Sequence, residues 1–281
     1  MIFRRGTDEP LPLTPPVDRP IPAWDAIAAT QQNRTPSDWF IPQSDHAHIS
    51  GALAAAFDRE LFPGLTPEIL EAIRLHDEGW VPCDGVAESP RSPAVADSGR
   101  ALSFFQMAPA VFLRAWQRSI DSAIAIGPAA GHIVSSHFRL LAGHRLRSSA
   151  DTSEDTHAIE SFSAFELLRE ASLAPASGFT SEQLSRFLTV LQFCDVLSLY
   201  LCSNPGVPVV FTHNFDRGLL SAPNPAPASS TSAPVSSPNP SPWPSPASAF
   251  PATSTTLVPN TFSSTEPACH SVTSSCITEV P

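Results

Sequence analysis

The stretch "IRLHDEGW", Ile73 to Trp80, puts a histidine and an aspartate side by side at the end of an apolar helical pattern. Thr66 followed by Pro67 opens that pattern as an N-cap with proline at the first helical position. Gly79 closes it as the residue just past a helix end. With Ile69 at zero and about 100° per residue, Ile73 falls at about 40°, His76 at about 340° and Asp77 at about 80°. Glu68, Glu71, Arg74 and Glu78 take the other side. The His-Asp pair therefore flanks the apolar face of a helix, at a C-terminal end whose carbonyl dipoles favour a cation.

Five further helical patterns surround this one. The first opens after Ser44–Asp45 and runs over about 46–57. The third covers about 103–124, with Pro109 implying a kink or break. The fourth follows Gly127–Pro128 to about 142, and the fifth covers about 156–173. The sixth opens with a capping box, Thr180 with Gln183, and a Phe179–Leu184 staple, then runs "QLSRFLTVLQFCDVLSLYLC" to about 202. Strand-like alternation is nearly absent, "VPVVF" at 207–211 being the one short candidate. These patterns predict an all-α, bundle-like domain of about six helices over residues 41–220.

The flanks differ. Residues 1–40, with "EPLPLTPPVDRPIPAW", read as an irregular Pro-rich arm. Residues 221–281 are rich in Pro, Ser, Thr and Ala, lack glycine and carry only Glu266 and Glu279 as charged groups. Proline at that density excludes a helix or a central strand, so a low-complexity, disordered tail is expected.

The chain has 281 residues and a net charge of −11, and all of its 16 basic residues are arginine. No basic stripe marks a nucleic-acid polymer or an anionic membrane as partner. No apolar run of about 18 residues is expected to span a membrane, and "MIFRRGTDEPLP" has no apolar segment of a signal peptide. The five cysteines, Cys83, Cys194, Cys202, Cys269 and Cys276, show no CxxC spacing. Cys194 and Cys202 fit a helical core, and a reducing cytoplasm is expected.

The same helical wheel sorts the other polar residues. Asp195 lies at about 20° from Leu184, in the middle of the sixth helix's apolar stripe. A lone carboxylate there requires a proton, a cationic partner or a metal. In "DHAHIS", His46 lies with Leu53 and Phe57 while His48 faces away. In the fourth helix His137 lies with Ile133, and His132 is at the edge. His48, His144, His157, His213 and His270 match no constellation. Any one inward histidine is most simply a hydrogen-bonded core residue. Four or five inward groups, all of types that bind borderline divalent metals, point to a metal site.

In chain order these groups read His … His-Asp … Asp. That order resembles the HD-domain superfamily of metal-dependent phosphohydrolases, which are all-α. "IPQSDHAHISGALA", "LHDEGW", "VSSHFRLL" and "LQFCDVLSLYLC" together resemble, over about 41–205, the bacterial family called domain of unknown function 3891. The resemblance implies that His46, His76, Asp77 and Asp195 ligate a first metal. It makes Asp77 the group able to bridge two ions and the catalytic residue that orients or deprotonates water. His137, and less directly His132, resemble the histidines that hold a second metal. Members of the family continue past the last helix with a folded segment ending in a Pro-Trp-Pro-Phe-like stretch. Here "SPWPSPASAF" lies in low-complexity sequence instead.

The expected function is hydrolysis of a small phosphorylated or nucleotide substrate, using one or two divalent ions (Mn, Fe or Zn). Arg139, with Arg145 and Arg147, is a candidate for holding phosphate, and Trp80 for stacking on a base or walling the pocket. Two alternatives use the same scaffold: a mixed-valent di-iron oxygenase, and a degenerate HD domain that binds a nucleotide or a protein without turnover.

Overall fold

The computed structural model describes residues 2–4, 21–32, 39–57, 62–84, 102, 106–148, 151–207, 209–215 and 218–222. Their architecture is all-α, a helical bundle with little strand. The helices are α1 (Ala23–Gln32), α2 (Gln43–Ala56), α3 (Pro67–Leu75), the single turn α4 (Val81–Asp84), α5 (Pro109–Ile126), α6 (Pro128–Ser148), α7 (Ser153–Ala176) and α8 (Ser181–Ser203). The strands are β1 (Ile2–Arg4), β2 (Ile21–Pro22), β3 (Trp39–Ile41), β4 (Val209–Phe215) and β5 (Gly218–Ala222).

α8 is the helix around which the others are arranged, packing against α1, α2, α3 and α6. Its start is the capping box expected from Thr180 and Gln183. The Gln183 amide donates to Thr180 Oγ1 at 3.2 Å, and Gln183 Oε1 accepts from the Thr180 amide at 2.9 Å. Phe179 stacks edge-on with Phe187 at 5.1 Å, which places the aromatic staple one turn beyond Leu184. The helix ends at Asn204, in the left-handed region with φ 49°. By length and composition alone α8 is long and apolar enough to cross a membrane, a property that buried core helices share. Leu184, Phe187, Val190, Leu191, Cys194 and Asp195 are buried inside the bundle, as in a core helix.

Each of the six expected helices is present, with shifted ends. α2 begins at Gln43, so Ser44 and Asp45 lie inside its first turn instead of capping it. The amide of Gln43 donates to the buried carboxylate of Asp84, which reaches over from α4. Of the kink or break expected at Pro109, the structure shows a break: Pro109 is the first residue of α5, where a missing N–H costs nothing. α3 stops at Leu75, short of the expected Gly79. Thr66 caps its start, the Ile69 amide donating to Thr66 Oγ1 at 3.4 Å. Glu78–Trp80 follows as a 3₁₀ turn. Gly79 is needed there for a close approach, because a Cβ would sit 2.0 Å from the Ala115 carbonyl oxygen of α5. Its amide donates to Ser119 Oγ at 2.9 Å.

Among the described residues of the expected 1–40 arm are a helix and short strands. α1 buries Ala23, Ala26, Ile27 and Thr30, spaced for one helical face, against α8. β1 pairs antiparallel with β3, Ile2 opposite Ile41. β2 pairs in parallel with β4, which pairs antiparallel with β5, a bulge separating Phe211 from Phe215. The expected strand at 207–211 is thus the start of β4. Val209 and Phe211 are buried, and Phe211 meets Phe193 edge-on at 5.3 Å. Residues 223–281, which hold almost all of the expected tail with Cys269, His270 and Cys276, lie outside the described residues.

Candidate metal centre

Five polar side chains meet in the interior: His46 from the first turn of α2, His76 and Asp77 from the turn after α3, His137 from α6 and Asp195 from α8. None is more than 7 % exposed. His46 Nε2 lies 2.8 Å from Asp77 Oδ2. His76 Nε2 lies 3.5 Å from Asp195 Oδ1 and 3.8 Å from Asp77 Oδ2. His137 Nε2 is 3.9 Å from Asp195 Oδ2. The His76 ring lies edge-on to both other imidazoles, at 5.4 Å from each. One ligand atom each from His46, His76 and Asp195 lies within 4.8 Å of the others.

Backbone geometry fixes which atoms face inward. His76 caps the C-terminus of α3, where its Nδ1–H donates to the Ile73 carbonyl at 2.9 Å. Nδ1 is thereby occupied, and Nε2 is left facing the carboxylates with no hydrogen-bond partner. Asp77 sits in the bridge region, φ −109° and ψ 16°, which turns its carboxylate toward His46 and His76. His46 Nδ1 faces Ser198 Oγ at 3.0 Å.

The electrostatics are those of a cation site. Burial pulls the His76 imidazolium down, but Asp77 and Asp195 outweigh it and hold the ring up to about 9. Burial pushes the Asp195 carboxyl up, and the three imidazoles reverse this, led by His76. Asp77 is lowered in the same way, burial being outweighed by His76 and His46. Burial takes His137 down to about 4 despite Asp195, so this ring is neutral near pH 7. In the metal-free protein, an imidazolium proton supplies part of the positive charge that two buried carboxylates require.

Three imidazoles and two carboxylates suit a borderline divalent ion such as Mn, Fe or Zn. The orphaned Nε2 of buried His76 is the atom that fits this best, since a buried nitrogen without a partner is costly. His46, His76, Asp77, Asp195 and His137 are thus brought together as the sequence suggested.

The other candidates are not. His132 is half-buried, and the charges that reach it are Glu170 and Arg139, on the side of α6 facing α7. A five-residue offset from His137 turns it well away from the cluster. Arg139 gives Nε to Glu170 Oε1 at 2.6 Å and a terminal nitrogen to Glu170 Oε2 at 3.0 Å. Arg145 is held in the same two-pronged way by Asp151. Arg147 is exposed. Two of the three arginines expected to grip phosphate, Arg139 and Arg145, are therefore engaged in structural ion pairs. Trp80 is 2 % exposed and packs in the apolar core as an anchor of the 3₁₀ turn.

Two hydroxyls escaped the sequence reading. Ser198 and Ser50 are fully buried beside His46. The signal was present, because Ser198 falls at about 320° on the wheel that singled out Asp195.

A family model described as Protein of unknown function (DUF3891) matches residues 30–244. The match runs beyond 41–205 on both sides, taking in the end of α1 and all of β4 and β5, and it reaches "SPWP" at 241–244. No curated protein and no solved structure matches the chain.

Proposed function

This chain belongs to the family described as Protein of unknown function (DUF3891), and from that premise we propose that it is a metal-dependent phosphohydrolase of the HD type. The observation that carries the proposal is the buried convergence of His46, His76 and Asp195, with the unpartnered Nε2 of His76 among them. These three side chains and Asp77 would hold a first divalent ion, and His137 a second. Such ions lower the pKa of a bound water and stabilise charge on phosphoryl oxygens. Asp77, ionised and anchored by His46, is the group that would orient that water or accept its proton. The Ile73 carbonyl keeps His76 in the tautomer that presents Nε2. A small phosphorylated or nucleotide substrate is the class this chemistry serves.

The test is elemental mass spectrometry on purified protein beside His76→Ala and Asp195→Ala. We expect about one or two equivalents of Mn, Fe or Zn in the wild type, lost in both variants. The loaded wild type should then release phosphate from a panel of phosphate esters and nucleotides. Wild type that stays metal-free after reconstitution would overturn the reading.

One observation favours a second reading on the same ligands. Arg139 and Arg145 are bound to carboxylates, so two of the three candidate arginines of α6 do not supply a phosphate grip. A di-iron oxygenase needs no such grip. Bound iron, a visible absorption band and oxygen uptake without phosphate release would select it.

A further inference from the structure

We propose that Ser198, backed by Ser50, is a positioning residue that sets the proton on His46 and so turns that ring into a metal ligand. The inference rests on the metal reading above, because it names what holds one ligand in its binding form.

His46 has two ring nitrogens, each with one partner within hydrogen-bond distance, and Asp195 Oδ1 lies farther from Nδ1, at 3.8 Å. Nε2 faces the Asp77 carboxylate at 2.8 Å. Nδ1 faces Ser198 Oγ at 3.0 Å. Only a nitrogen without a proton can bind a metal, and in a neutral ring the proton then resides on the other nitrogen. For Nε2 to be the ligand, Nδ1–H must find an acceptor inside the core.

Ser198 is arranged to accept. A hydroxyl carries one proton and two lone pairs. The Ser198 proton goes to the Asp195 carbonyl, one turn back on α8, at 2.8 Å. Ser50 Oγ stands 2.8 Å from Ser198 Oγ and donates to it. With its proton committed, Ser198 Oγ has a lone pair left for His46 Nδ1–H. Ser50 Oγ is also 3.1 Å from the His46 carbonyl and 3.3 Å from the Cys194 carbonyl. Both hydroxyls are 0 % exposed. His46, Ser50, Ser198 and the Asp195 carbonyl thus form one hydrogen-bonded unit joining α2 to α8, and it includes one metal-facing side chain, that of His46. Outer partners of this kind fix ring orientation and tautomer.

The Ile73 carbonyl does the same for His76. Ser198 Oγ acts as the acceptor for His46 Nδ1–H because its own proton is held by the Asp195 carbonyl.

The experiment compares wild type, Ser198→Ala and Ser198→Cys, with ring ¹⁵N chemical shifts of His46 identified by their loss in His46→Gln. Zinc affinity is measured by chelator competition, and unfolding midpoints are recorded for each protein. The proposal predicts zinc binding weakened roughly 10- to 100-fold in both variants. It also predicts an Nδ1 shift that moves while the unfolding midpoint of Ser198→Cys stays near wild type. A polar packing role alone would lower the midpoint and leave the ¹⁵N pattern unchanged. Wild-type zinc affinity with an unchanged His46 pattern in Ser198→Cys would overturn the proposal. Should the wild type bind no zinc, the metal reading fails first. The proposal then fails separately if the metal-free His46 shifts are the same with and without the Ser198 hydroxyl.

Discussion

At the scale of single residues, the buried imidazoles give the metal-free protein a pH signature. His76 is held at about 9 against an ordinary 6.5, through Asp77 and Asp195 outweighing burial. A raised folded value stabilises fully below about 6.5, and that contribution is lost as pH climbs through about 9. His137 is moved the other way, by burial, to about 4. Its contribution is complete above about 6.5 and is lost as pH falls toward 4, because the unfolded chain takes up a proton that the folded one refuses. The metal-free protein should therefore be most stable near pH 6.5 and melt lower at pH 9 and at pH 4.5. Scanning calorimetry in EDTA would show this, and His76→Gln should flatten the alkaline limb. A melting temperature still rising between pH 6.5 and 9 would mean that His76 carries no proton in the fold. The sequence disclosed these groups because each breaks an apolar stripe. Arg139 gave no warning of its capture, since Glu170 lies 31 residues away and no helical spacing links them.

At the scale of elements, helix ends were legible where the cap is local and illegible where it comes from elsewhere. Thr180, Thr152 and Thr66 cap their own helices through residues three positions on. The start of α6 is different. Glu68 of α3 reaches across, and its Oε1 accepts from the amides of Ala129 at 3.0 Å and Ala130 at 3.1 Å. A carboxylate at an N-terminus satisfies orphan donors and meets the positive end of the dipole. Gly127 makes room for it, because a Cβ there would fall 2.2 Å from Glu68 Oε1. Glu68→Ala should cost about 1–2 kcal/mol in urea unfolding. Gly127→Ala should cost a similar amount by displacing the carboxylate, and the double variant should lose little more than either alone. No loss from Glu68→Ala would mean that water caps α6 as well as Glu68 does, and additive losses would mean that Gly127 acts independently of that cap. α7 illustrates the opposite difficulty. It buries Glu166 and Glu170 while Phe165, Leu167 and Leu168 stay exposed. Glu166 Oε2 takes an ion pair from Arg169, three residues on in the same helix, and a hydrogen bond from Ser135 of α6, which periodicity does not show. α1 was hidden differently: the prolines of residues 10–22 flank the helix without entering it, so composition masked a clean apolar face.

At the scale of the whole molecule, the cluster joins parts of the chain that are far apart in sequence. Its side chains come from α2, the turn after α3, α6 and α8, whose order in the chain brings nothing together until the bundle closes. That is why the sequence could nominate inward residues but could not show that Arg139 is taken up by Glu170 or that Trp80 is core. The arrangement also ties metal occupancy to global stability, because the unfolded chain holds no such set of ligands. A ligand that binds only the folded state at 100 times its Kd adds about 2.7 kcal/mol, which for a domain of this size corresponds to about 5–10 °C in Tm. Reconstituting the EDTA-treated protein with Mn, Fe or Zn at pH 7.5 should therefore raise its Tm by about that much, with the increase growing as metal is added. Asp195→Ala should show no metal-dependent rise, because it removes a carboxylate at the centre of the cluster. Ser198→Ala should show a smaller rise than wild type at the same metal concentration, recovering as the concentration is increased. A wild-type Tm indifferent to metal, in samples where elemental analysis finds the ion bound, would place that ion on the surface. The buried His and Asp groups would then be hydrogen-bonding partners within the core.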